Sequence, residues 1–198
     1  MPPPAKAPWK MLPMIVNGRF NNEFLRWVLL PIWSALAVMG MLGLSGLRVN
    51  FTDSLPRGFY WITNDSKAVL VEFCPPSAFS MLSVRRGYRP SGICPDRKAP
   101  LLKPVIARAG DTVVVSAEGI SVNGRKLPNT KPRPFDSGGR PLNAWPRGVY
   151  SVPAAMVWVV STYHPNSFDS RYFGPISVAR IRHRLRPLWV AGSTPVQP

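Results

Sequence analysis

Histidine, cysteine and carboxylate side chains are all scarce in this chain, and each shortage removes a class of chemistry. Its 198 residues hold two histidines, two cysteines and nine acidic residues. Neither His164 nor His183 stands in a metal motif or beside a G-x-S-x-G sequence, which argues against a His-based triad and against a zinc centre. A nucleophilic serine here needs another base. Cys74 and Cys94 have no His or further Cys at metal-ligand spacing. Outside the cytoplasm they read as a disulfide, contributing about 3 kcal/mol; the alternative is two partly buried thiols.

The nine acidic residues face 25 Lys+Arg, for a formal charge of +16, which draws the chain towards polyanions. No nucleic-acid-binding module accompanies that charge, so anionic lipid or an acidic partner is the better fit than nucleic acid. Near the C-terminus "ARIRHRLR" alternates, which as a strand puts Arg180, Arg182, Arg184 and Arg186 on one face. That face is either simply solvated or set against anionic lipid or an acidic partner.

Proline is plentiful at 24 residues, alongside 15 glycines. Such a chain disfavours long helices and favours short strands joined by fixed turns. One stretch departs from this, the uncharged run "WVLLPIWSALAVMGMLGLSGL" from Trp27 to Leu47. About 20 apolar residues let a helix cross a bilayer, and Pro31 falls in the first turns of this run, where its missing N–H costs least. A cleaved signal peptide has a shorter apolar core, so an uncleaved anchor is expected. Lys6, Lys10, Arg19 and Arg26 precede the run against Glu23 alone. The positive-inside rule then leaves residues 1–26 cytoplasmic, makes 27–47 the transmembrane anchor and exports 48–198, in a bacterium to the periplasm.

The exported part reads as strands: "GFYWIT", "AVLVEF", "KPVIARA", "DTVVVSA", "ISVNGRKL", "GVYSV" and "MVWVVSTY" are rich in β-branched and aromatic residues. Asn123-Gly124 is the clearest hairpin turn. Residues 74–100 and 128–146 read as long surface loops, the second with no role assigned.

A serine can be activated by a lysine whose burial disfavours its charged form. Lys103, in "APLLKPVIARAGD", lies between Leu101, Leu102, Val105 and Ile106, whereas the other lysines stand in polar or N-terminal surroundings. By itself this pattern also fits a lysine extending from a strand edge.

"TDSLPRG", "LLKPVIARAGDTV", "VNGRKL" and "NSFDSRYFGPI" follow one another in the order and approximate spacing of four boxes of the type I signal peptidases. The chain resembles that family over Asn50 to Ile176, and most of all its conjugal-transfer branch, the TraF peptidases. The resemblance implies a mainly β, signal-peptidase-like domain with a Ser/Lys dyad behind one N-terminal transmembrane helix. Ser54 would be the nucleophile and Lys103 the general base. The Thr52 hydroxyl and the Ser54 N–H would form the oxyanion hole. Ser167 would hold the lysine, and Asp169 with Arg171 would form a supporting ion pair, Asp169 being implicated in catalysis.

Departures from the ordinary signal-peptidase pattern favour the conjugal branch: Ser54-Leu55-Pro56-Arg57-Gly58, Pro104 after the lysine, and Ser161-Thr162-Tyr163-His164 where Gly-Asp-Asn is usual. The implied activity is maturation of a conjugative pilin subunit, with hydrolysis or cyclisation of the product both open. The implied partners are a membrane-bound pilin precursor, an inner membrane carrying anionic lipids, and conjugation or type IV secretion components. No metal or cofactor is implied. A general signal peptidase and a non-catalytic periplasmic assembly factor are the competing readings.

Overall fold

A computed structural model describes residues 22–192. Lys6, Lys10 and Arg19, on which the orientation argument draws, lie outside the described residues. The chain divides into two units, Met1–Leu42 and Gly43–Pro198.

The first unit carries most of helix α1 (Asn22–Ser45). Its segment Arg26–Ser45 is long and apolar enough to cross a membrane. The helix begins ahead of the apolar run, so Pro31 sits inside it rather than in its first turn. Ser34 Oγ reaches the carbonyls of Leu30 and Pro31, the local back-bonding a serine makes inside a helix. The helix also stops short of Leu47. Gly46 takes a φ of +123°, a conformation that costs glycine little, and Leu47 already opens the first strand.

The second unit is mainly β, as expected. A seven-stranded sheet combines β1 (Leu47–Asn50), β2 (Gly58–Thr63), β3 (Leu70–Phe73), β4 (Leu101–Ala107), β9 (Met156–Val159), β10 (Ile176–Ser177) and β11 (Ile181–Val190). Its spatial order is β1-β2-β11-β3-β4-β9-β10. A second sheet holds β5 (Thr112–Ser116), β6 (Gly119–Val122), β7 (Arg125–Lys126) and β8 (Gly148–Ser151) in the order β7-β6-β5-β8. Among the described residues the neighbouring strands of both sheets run antiparallel. Asn123 and Gly124 both take positive φ, as a tight hairpin between β6 and β7 requires.

The apolar pattern of the strands is spent on three clusters. Ile106, Val113, Ile120 and Trp158 pack in one, Val71, Phe73, Val105 and Phe173 in another, and Leu55, Tyr60, Leu70 and Leu185 in the third. Burying each such side chain contributes about 1.5–3 kcal/mol. Strand β4 lies deep in the large sheet between β3 and β9, so its residues from Lys103 onward are buried.

The two presumed loops are more ordered than their composition suggests. Within 74–100 lies helix α2 (Ser77–Arg85), and the segment is closed by a Cys74–Cys94 disulfide. Residues 128–146 are pinned through Asp136, which accepts from Tyr88, Arg86 and Arg140. On β11 the alternation is broken by a register shift between Ile181 and His183. Arg180 lies in the 3-10 turn ahead of β11 and donates to the Pro75 carbonyl, Arg184 donates to the Ala68 carbonyl, and Arg180, Arg182 and Arg186 are exposed.

Candidate active site

Ser54 sits in the turn that joins β1 to β2, whose ends meet in the pair Asn50–Gly58. One buried side chain organises that turn. Asn50, 7% exposed, donates its amide to the carbonyls of Thr52, Leu55 and Pro56 at 3.0–3.1 Å. Its Oδ1 accepts from the Thr52 N–H and from the Thr52 hydroxyl, the latter at 2.8 Å. Tyr60 also donates to the Pro56 carbonyl, at 2.6 Å. Across the solvent side, Arg57 bonds Asp53.

The Thr52 hydroxyl lies 3.0 Å from Ser54 Oγ. A threonine hydroxyl has a single proton, and that of Thr52 goes to Asn50. Ser54 is therefore the donor to Thr52 in this arrangement. The Ser54 backbone N–H makes no hydrogen bond among the described residues, leaving it available to an incoming oxygen.

Lys103 is 3% exposed, opposite Val71 of β3 in the sheet register. Its Nζ donates to Ser167 Oγ at 2.8 Å. Burial lowers its pKa from 10.5 to about 8, partly offset by the Asp169 carboxylate and reinforced by the Arg171 charge. Apolar flanks in the sequence thus translate into a lysine that loses its proton much more readily than one in water.

Asp169 and Arg171 are both fully buried and paired through two hydrogen bonds, Nε to Oδ1 at 2.9 Å and a terminal nitrogen to Oδ2 at 2.8 Å. Asp169 also caps the short helix α3 (Ser170–Phe173) by accepting from the Arg171 N–H. The remaining Arg171 donors go to the carbonyls of Asn129, Pro165 and Ser167 at 2.8–2.9 Å. All five N–H groups of the guanidinium are used, which is what a buried arginine requires.

The structure therefore joins Lys103 to Ser167, Ser167 to Arg171, Arg171 to Asp169, and Ser54 to Thr52. Ser54 and Lys103 share no hydrogen bond, each being engaged elsewhere. Ser161 links the two groups by hydrogen bonds: its hydroxyl donates to the Ser54 carbonyl and its N–H donates to Asp169 Oδ2 at 3.0 Å. Cys74 and Cys94 are bonded to each other in the α2 segment and belong to none of these contacts.

Asn50 and Ser161 carry no motif that marks them in the sequence. Asn50 stands two residues ahead of the first box, and Ser161 lies in a segment that departs from the usual pattern.

Comparison with known proteins bears out the family resemblance. Residues 22–189 match the family model "Signal peptidase, peptidase S26". A plasmid transfer protein TraF from Escherichia coli is 37% identical over 158 residues, covering 78% of this chain and 89% of that protein. A probable conjugal transfer protein TraF from Sinorhizobium fredii is 38% identical over 164 residues, covering 76% and 85%. A crystal structure of a signal peptidase I from Enterococcus faecalis, at 21% identity, covers 63% of this chain and 99% of its own, with a TM-score of 0.35.

Proposed function

The chain belongs to the signal peptidase family, peptidase S26, and from that membership we propose that it is a membrane-anchored Ser/Lys endopeptidase maturing a conjugative pilin subunit. The observation that carries the reading is Lys103, a buried amine with its pKa lowered to about 8, held by Ser167 in the box that also supplies Asp169 and Arg171. The likeness to TraF proteins supports the conjugal assignment. In this reading α1 spans the bacterial inner membrane with the N-terminus cytoplasmic, and the domain from Arg48 onward is periplasmic.

Neutral Lys103 takes the Ser54 proton as Ser54 Oγ attacks the scissile carbonyl. The Ser54 N–H and the Thr52 hydroxyl receive the developing oxyanion, a role in which aimed donors contribute strongly. Both hydroxyls must first turn: Ser54 from Thr52 towards Lys103, and Thr52 from Asn50 towards the substrate. The resting contacts thus describe a site that substrate assembles. Protonated Lys103 then gives its proton to the leaving amine, and an acyl-enzyme remains.

Water resolves the acyl-enzyme into a shortened linear product. The substrate's own N-terminal amine, admitted instead, closes a head-to-tail ring.

The test is a cell carrying the full chain and its pilin precursor, read by the intact mass of the mature product. Ser54→Ala and Lys103→Ala should each abolish maturation, and full maturation with either would overturn the enzyme reading. Linear and cyclic products of one segment differ by about one water. Comparable processing of unrelated exported preproteins would replace the pilin assignment with general signal peptidase activity.

A further inference from the structure

Ser161 has no part in the chemistry above, yet it touches both the nucleophile's turn and the buried ion pair. It is 0% exposed. Its hydroxyl proton goes to the Ser54 carbonyl, while the Tyr163 N–H donates to the Ser161 hydroxyl oxygen at 3.2 Å and fixes its direction. Its own N–H goes to Asp169 Oδ2. One residue earlier, the Val160 N–H donates to the carbonyl of Pro104, which follows Lys103 directly. The short stretch Val160-Ser161 is thus bonded to the residue beside the lysine, to the carboxylate and to the nucleophile.

We propose that Ser161 is a positioning residue, whose hydroxyl sets the Ser54 turn in register with the frame that holds Lys103 and Asp169. The inference rests on the Ser/Lys reading. Ser54 and Lys103 lie on separate segments with no hydrogen bond between them, so their spacing depends on tethers of this kind. Misplacing a reacting group by about 1 Å can cost about 10²-fold in rate. Ser161→Ala removes one oxygen and leaves the N–H on Asp169, so the electrostatic surroundings of Lys103 stay as they are.

The experiment uses the purified full chain in detergent with the purified pilin precursor, measuring single-turnover cleavage against concentration and pH. Wild type should cleave and Ser54→Ala should not, which establishes the underlying reading first. Ser161→Ala should then cleave about 10- to 100-fold more slowly at saturation, with half-saturation, the pH midpoint and Tm close to wild type. Ser161→Thr restores the hydroxyl and should come within about threefold of wild type. If Thr proves too crowded to fold, Ser161→Cys has nearly the same size and a weak donor, and should fall between Ala and wild type.

Ser161→Ala cleaving at the wild-type rate, with Ser54→Ala inactive, overturns this inference alone. A loss that tracks a fall in Tm, and that neither Thr nor Cys relieves, also overturns it by showing a purely structural role. A wild-type chain that does not cleave, or a Ser54→Ala variant that does, overturns the Ser/Lys reading and this inference with it.

Discussion

Lys103 Nζ and Ser167 Oγ lie 2.8 Å apart inside the domain, and this contact, rather than one to Ser54, is what the amine makes at rest. The hydroxyl fixes the direction of the amine without supplying the negative charge that would keep it protonated. The pKa is therefore governed first by burial.

Activity should rise with pH as Lys103 loses its proton. Below its pKa of about 8 the neutral fraction, and with it kcat/KM, should fall about tenfold per pH unit, levelling off about one unit above it. Initial rates measured from pH 6 to 10 check this, and a flat profile would exclude Lys103 as the base.

The same burial predicts a stability gain from an inactivating change. The fold lowers the lysine pKa from 10.5 to about 8, so the unfolded chain binds more protons between those values and the wild-type fold gains stability as pH rises through that window. Below pH 8 the full penalty remains, about 3 kcal/mol at 1.36 kcal/mol per pH unit. Lys103→Met removes it, at a cost of about 1 kcal/mol for the contact to Ser167. Urea unfolding at pH 7 should find the variant more stable by about 1–3 kcal/mol, with the advantage vanishing at about pH 10.

Arg171→Met should act in the opposite direction. It strands the Asp169 carboxylate and the carbonyls of Asn129, Pro165 and Ser167, and breaking a buried pair from one side costs about 3–5 kcal/mol. Denaturant midpoints would register the loss. An unchanged midpoint would mean that the pair does not brace the domain.

Asn50→Ala deletes the donor to three turn carbonyls and the acceptor that holds the Thr52 proton. Precursor cleavage should fall about 10²-fold through kcat, with half-saturation little changed. A variant that changes half-saturation alone would assign Asn50 to substrate binding instead.

Reducing the Cys74–Cys94 disulfide, or replacing both residues with alanine, should cost about 3 kcal/mol by loop entropy. Neither cysteine contacts the cluster around Lys103, so cleavage at low temperature should persist. Parallel loss of activity and stability would tie the α2 segment to the site.

The strands were legible where local pattern decides them. "GFYWIT" coincides with β2, and Asn123-Gly124 marks the β6–β7 hairpin because two successive positive φ values favour just those residues. Strand β1 was hidden because Leu47 completes an apolar run whose end is set by Gly46 rather than by polarity. Helix α2 was hidden between prolines and a cysteine, in "SAFSMLSVR", whose weak helical pattern gains its context from the disulfide and from Asp96 and Ser80 contacting Arg89. In the candidate site, the apolar neighbours of Lys103 allowed for its burial without deciding it, and Ser54, Ser167, Asp169 and Arg171 were marked only by the boxes of the resemblance. Asn50 and Ser161 were not, since a lone polar residue means little until folding carries residue 161 to the carbonyl of residue 54.

Arg171 also bears on whether this site can be transplanted. Its guanidinium ends on Asp169 and on main-chain carbonyls from two further places, residue 129 and the stretch 165–167. Lysine has three donors and no planar fork to replace it. Grafting Ser54, Lys103 and Asp169 onto another scaffold would therefore import a buried anion without its counter-ion's supports. The smallest portable unit is the set of backbone segments that meet at Arg171, with the side chains of the proposed dyad carried on it.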